Sequence, residues 1–373
     1  MSARVLRGKQ QGRRLRFAAI AALVIAAGAG MALGDNKPST TDLRTGPIDV
    51  EARALAGFDR LDREKTQFGK LTWRGGLVLT SPAKTFGGWS GFAVDADGKG
   101  FFAISDAGAW MSGAIAYDDR QRPTALTSVR LGAIQSKSGD PLSRSRDRDA
   151  EALALLEGTT QEGGVLVSFE RKHRIVRFDI EAGELSPAAA KIALPNSAEE
   201  MPKNGGIEAI AVLRGGPNRG KLVAFSERLR DDDGNHVGWL WEEEDRPRRF
   251  KLTNGGDYNV TDAAPLPDGS LLVLERRFRA SEGVRIRLRL VRQQQLRAGE
   301  TIDAETLLAA DGGREIDNME GLAAHVGAGG EIIVTMISDD NFNRRLQRTI
   351  LLQFALSAGD LAASGSGPEA AKP

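Results

Sequence analysis

The feature that most constrains this chain is an internal repeat. In each copy a polar residue opens a run of small and apolar residues, a glycine-bearing turn follows, and a second apolar run ends in a carboxylate. The copies read Gly88-Trp89-Ser90-Gly91-Phe92 with Ile104-Ser105-Asp106, Asp149-Ala150-Glu151-Ala152 with Ser168-Phe169-Glu170, and Gly206-Ile207-Glu208-Ala209 with Phe225-Ser226-Glu227. Two more read Val260-Thr261-Asp262-Ala263 with Val273-Leu274-Glu275, and Glu320-Gly321-Leu322 with Ile337-Ser338-Asp339. Measured between Ser90, Glu151, Glu208, Asp262 and Glu320, the steps are 61, 57, 54 and 58 residues.

A repeat of this length, made of short strands without helical periodicity, points to radial β architecture in which no unit buries its faces alone. The expected fold is all-β: a β-propeller of five blades with four strands each, spanning residues 69–356. The fifth repeat supplies only three strands, so Leu71 to Leu79 is expected to pair as the fourth and close the ring, which removes an open sheet edge. Six blades is the alternative, if residues 69–86 and 132–148 contribute further strands.

The ends read differently. Residues 1–34 carry Arg4, Arg7, Lys9, Arg13, Arg14 and Arg16 and then an apolar run from Phe17 to Leu33, the pattern of a signal peptide or an N-terminal anchor. Either implies a periplasmic or secreted protein, the alternative being an inner-membrane anchor facing the periplasm, with membrane contact only through that segment. Residues 35–68 read as a polar linker with a helical turn around Val50 to Leu61, and 357–373 as a disordered tail. Without the first segment, 45 basic residues face 50 acidic ones, which disfavours a nucleic-acid partner.

The chain has no cysteine and three histidines, so thiol chemistry, disulfides and a His-rich zinc site are excluded or disfavoured. Chemistry falls to carboxylates, arginines, lysines and hydroxyls. In a propeller, equivalent repeat positions face one another around the axis. The repeat therefore predicts two rings of acids, one of Asp106, Glu170, Glu227, Glu275 and Asp339, the other of Glu151, Glu208, Asp262 and Glu320 with Ser90 as the variant member. Clustered carboxylates must hold protons, pair with cations or bind a metal. Arg171, Arg228, Arg276 and Arg277 follow the acids directly, and His173 lies beside them. One reading is a self-neutralising network that ties blade to blade.

The other is a divalent-cation site, best suited to Ca²⁺, with Asp106, Glu151, Glu170, Glu227, Asp262, Glu275 and Asp339 as ligands. Glu208 or Glu320 would then accept a proton, and Arg171, His173, Arg228, Arg276 and Arg277 would hold an anionic substrate. The oxygen-rich run Ser338-Asp339-Asp340-Asn341-Phe342-Asn343 is either a cation loop or an Asx-rich turn.

The combination Gly87-Gly88-Trp89-Ser90-Gly91-Phe92-Ala93, Ser105-Asp106-Ala107-Gly108, Ser168-Phe169-Glu170-Arg171, Gly206-Ile207-Glu208-Ala209, Glu275-Arg276-Arg277-Phe278 and Asn318-Met319-Glu320-Gly321 resembles the phytase-like domain family, also described as esterase-like activity of phytase. The resemblance spans about residues 71 to 356 and implies an extracytoplasmic β-propeller that hydrolyses phosphate or other esters. The Asp-Asp-Pro-Ala-Ile-Trp signature of calcium-dependent propeller phytases is absent. The expected function is metal-dependent hydrolysis of an anionic ester at an acidic channel mouth. A lactonase-type propeller and a non-catalytic envelope binding or scaffold propeller are the alternatives.

Overall fold

The computed structural model describes residues 37–40, 43–243 and 246–363. Its five sheets each begin with a strand that contacts the first strands of two other sheets, so the five close into a ring. These innermost strands are Trp89–Val94, Ala150–Gly158, Ile207–Val212, Asn259–Pro265 and Asn318–Val326. Each pairs with the next strand of its blade across an antiparallel ladder.

The closure follows the sequence expectation. Leu71–Thr80 pairs antiparallel with Thr349–Leu356, placing Leu79 opposite Thr349 and Leu71 opposite Leu356. The fold is therefore a five-bladed propeller. The six-blade alternative fails because residues 69–86 supply that closing strand and residues 132–148 supply no further blade; beyond the end of a blade 1 strand they contain a short helix, Ser145–Arg148.

Buried apolar residues fall into five clusters, each between two neighbouring blades. Strand alternation explains this: successive side chains point to opposite faces, and in a ring both faces of a blade meet another blade. Trp89, Trp110 and Trp239 are fully buried there, as blade packing rather than a ligand platform.

Two segments differ from their sequence reading. Within residues 35–68, Gly46–Pro47 extends the outer edge of blade 1 and Glu51–Ala54 pairs with the closing strand, where a linker and helical turn were expected. Neither strand is long enough to show alternation. Beyond Leu356, Ala358–Ala363 forms a short helix that starts with Ser357 Oγ accepting the Asp360 backbone N–H. The basic and apolar residues 1–34 lie outside the described residues. No helix among the described residues is long and apolar enough to cross a membrane.

Candidate functional site: an acidic channel mouth

The mouth is built by one backbone device used five times. In every blade the ladder between the first two strands skips one residue of the innermost strand at its mouth end, and the residues skipped there are Ser90, Glu151, Glu208, Thr261 and Glu320. Such a bulge leaves its residue outside the alternation and re-aims its side chain. Blades 2, 3 and 5 carry glutamates at this level. Blades 1 and 4 carry hydroxyls, and these reach the neighbouring blade: Ser90 Oγ donates to Ala150 O at 2.6 Å and Thr261 Oγ1 to Met319 O at 3.2 Å.

The same registers correct the fourth repeat. Its bulge residue is Thr261, so Asp262 returns to the alternation, fully buried, where it accepts the backbone N–H groups of Leu322 at 2.6 Å and Ala263 at 2.8 Å. Glu275 pairs with Val260 just as Ser226 pairs with Ile207, which puts Arg276 where the other blades carry Asp106, Glu170, Glu227 and Asp339. Glu275 faces away from the channel, buried with Arg287, Arg289 and His236. Burial opposes its charge, but the His236 bond and the Arg287 bond and charge hold its carboxyl below the ordinary range. A one-residue slip moves a side chain to the other face. Asp262 and Glu275 are thus removed from the rings, and the cation Arg276 is added.

At the mouth Asp106, Asp149, Glu151, Glu170, Glu208, Glu227, Glu320 and Asp339 remain together, each in electrostatic reach of others in the set. Asp149 was missed as a site residue, although it stands two residues before the bulge, where the other repeats have Gly88, Gly206, Asn259 and Asn318. Lys37 was also missed, because only the folded chain brings it in: its Nζ lies 2.9 Å from Asp106 and 2.7 Å from Asp149. Arg171 pairs with Asp149 at 2.6 Å, Arg228 with Glu227 at 2.9 Å, and Arg276 with Glu320 at 3.3 Å. His173 sits at the rim, its Nε2 3.0 Å from Pro202 O, and burial lowers its pKa. Arg277 is turned outward, bonded to Glu282 at 2.6 Å and to Gly256 O at 2.8 Å, and takes no part in the mouth.

The pairing is uneven. Glu170 accepts the Gly205 backbone N–H and, at 3.4 Å, that of Gly206. Among the described residues Glu151 and Glu208 have neither an ion-pair nor a hydrogen-bond partner, and Asp106 Oδ1 is buried without one. Burial, and then Glu208, Asp149 and Glu170, push the Glu151 carboxyl well above its ordinary value. Burial, and then Glu227, Glu170 and Glu320, do the same to Glu208. Glu320, held down by Arg276 against its burial, is raised to about 7. Asp339 is pushed well up by burial and by Glu320 and Asp106.

Two trios have oxygen atoms mutually within 4.8 Å: Asp149, Glu151 and Glu170, and Glu170, Glu208 and Glu227. Ca²⁺ takes oxygen ligands at about 2.3–2.6 Å, so oxygens up to about 5 Å apart can share one ion. The donor set is all carboxylate, and the buried oxygen atom left unpaired on Asp106 lies in the same cluster, so these residues suit a hard divalent cation. The run after Ser338 instead forms a hydrogen-bonded turn, in which Asp339 accepts Asn341 N at 2.6 Å and Asp340 accepts Phe342 N at 3.0 Å and Gly88 N at 3.2 Å. Gly88, at φ 67°, could carry no side chain there: a Cβ would lie 2.4 Å from Asp106 Oδ1.

Fold and site together define a five-bladed propeller with an acid-lined channel mouth. Residues 84–342 match the Phytase-like family, described as esterase-like activity of phytase, and the chain belongs to that family. Among solved structures it is similar to a protein of unknown function from Dyadobacter fermentans, at 11% identity and TM-score 0.38 over 84% of this chain and 95% of that one. It is also similar to the Cps50 (Swd1) β-propeller domain of Myceliophteria thermophila, at 8% identity and TM-score 0.36 over 83% and 100%, and to the Dos1 propeller, at 11% and 0.33 over 82% and 72%. No curated protein matches the chain.

Proposed function

We propose that this protein is an exported hydrolase of anionic esters that works with a divalent cation, Ca²⁺ fitting best, at the mouth of its propeller. The observation that carries the reading is the pair of carboxylate trios joined by Glu170, with Glu151 and Glu208 making no ion pair among the described residues. A network built only to neutralise itself would give each acid a pairing partner, and this one leaves Glu151 and Glu208 without one among the described residues. Glu151, Glu170, Glu208 and Glu227, with Asp149, would hold the ion. When bound, the cation supplies charge neutralisation and polarises an ester oxygen.

Glu208, read from sequence as a proton acceptor, sits within a trio and is better suited to holding the ion. That leaves Glu320 as the acid–base residue, with a carboxyl near neutrality, beside Arg276 and Asn318. Arg171 and Arg228, each already paired with one acid, line the route of an anionic substrate. The test is hydrolysis of nitrophenyl phosphates, nitrophenyl acyl esters and lactones by the full chain, in EDTA and with Ca²⁺. The reading predicts Ca²⁺-dependent turnover of an anionic ester that falls about 100-fold or more in Glu320→Gln, as for loss of general acid–base catalysis. Turnover unaffected by EDTA or by E320Q would refute it, and turnover of lactones alone would favour the lactonase alternative.

A further inference from the structure

A second cavity, of about 750 Å³, opens in blade 2 between residues 135–147 and the strands Gly163–Phe169, Arg174–Glu181 and Ala190–Ile192. It lies at the end of the blade where Phe169 is followed directly by Glu170, and so on the same face as the acidic mouth. Its size is that of a small-molecule site. The floor is apolar: Phe169, Val176 and Phe178 are buried beneath it, with Leu142 partly buried at the side.

The walls are cationic in an unusual way for this chain. Elsewhere most arginines near an acid are paired. Around this cavity Lys137, Arg144, Arg174 and Lys191 have no carboxylate partner among the described residues; Asp147, the acid in the lining, pairs with Lys172 at 3.5 Å. Arg174 is half-buried, its guanidinium 3.8 Å from the centre of the Phe169 ring, and it donates to the backbone carbonyls of Lys172 and Asp147. Aromatic face and carbonyls fix its position without cancelling its charge. Desolvation lowers its pKa to about 10, still leaving it charged at neutral pH. Asp147 acts on Arg174 electrostatically but makes no ion pair with it, and a cation partly held out of bulk water over an aromatic floor is complementary to a ligand that is anionic at one end and apolar at the other.

We infer that this groove binds an amphiphilic organic anion, an alkyl chain or aromatic ring bearing a phosphate, with the apolar part on Phe169, Phe178 and Leu142 and the anionic part against Arg174, Lys137 and Lys191. The inference concerns binding and stands whether or not the mouth hydrolyses esters.

The test is calorimetric titration of the full chain with octyl phosphate, phenyl phosphate, inorganic phosphate and the neutral octyl glucoside. One of the two organic phosphates should bind with one site per chain, about tenfold or more tighter than either inorganic phosphate or octyl glucoside. The alkyl and aryl ligands distinguish chain from ring, and success of either upholds the inference. Combined Lys137→Glu and Lys191→Glu, both exposed positions, should weaken that binding about tenfold or more without moving the melting midpoint. Glu151→Gln with Glu208→Gln should leave it unchanged. Absence of binding, equal binding of inorganic phosphate, indifference to charge reversal, or loss in the mouth variant instead would each overturn the inference.

Discussion

Replacing Glu275 by Gln separates the registers seen in the structure from the alignment of the repeats by their carboxylates. The side chain is fully buried, bonded to Arg287, 3.4 Å from Arg289 and 3.2 Å from His236. Gln keeps the volume but leaves two guanidinium groups with Asp303, which is 88% exposed, as the remaining acid. Removing one partner of a buried ion pair costs about 3–5 kcal/mol. With an unfolding entropy of about 2.1 cal/mol/K per residue over roughly 300 ordered residues, that becomes a fall of about 5–8 °C in the midpoint. Thermal melts of wild type and E275Q in EDTA measure the fall, and repeating them with Ca²⁺ asks whether Glu275 touches the ion. The structure predicts a large fall and an unchanged Ca²⁺ response. A fall below about 2 °C, which corresponds to little more than 1 kcal/mol, or loss of the Ca²⁺ response, would refute the placement of Glu275 away from the channel.

Other outcomes follow from the same geometry. Carboxyls raised in the folded state favour folding below their unfolded values, and that stability is lost as pH rises through the folded ones. In EDTA the midpoint should therefore fall from pH 5 to pH 8 as Glu320 passes about 7, with the raised carboxyls of Glu151, Glu208 and Asp339 acting in the same direction. A midpoint flat over that range in EDTA would contradict the burial of these acids. Lys37→Met removes the cation between Asp106 and Asp149, so the ion-free protein should melt lower while its Ca²⁺-induced shift grows. A Cβ on Gly91 would lie 2.7 Å from Leu153 N and 2.9 Å from Leu153 Cβ on the next blade, so Gly91→Val should cost about 1–3 kcal/mol, read by denaturant unfolding.

Blade number and closure were legible because apolar alternation and glycine turns recur wherever a blade must bury both faces. The site was legible only where chemistry and register coincide. Glu151, Glu208 and Glu320 are both acids and bulge residues, so they were found. In the fourth repeat the bulge residue is Thr261, whose hydroxyl bonds Met319, and the acid beside it drew the alignment one residue too far. Aligning Val260 with Ile207 and Ala150, the apolar residues before each bulge, would have recovered Thr261 and Arg276. Lys37 carries no signal in sequence, since it lies 112 residues from Asp149 and meets it only across the folded mouth.

The most direct test of the central claim is the melting midpoint of the full chain at pH 8 in EDTA and after addition of Ca²⁺, Mg²⁺ or Mn²⁺. An ion at about 100 times its Kd stabilises the folded state by about 2.7 kcal/mol, or about 4 °C for a chain of this size. The account predicts such a rise with Ca²⁺ above the other ions. Glu151→Gln with Glu208→Gln should abolish the rise and melt higher than wild type in EDTA, because the unpaired charges are gone. No shift with any ion, or the same shift in that variant, would contradict a cation site at the propeller mouth.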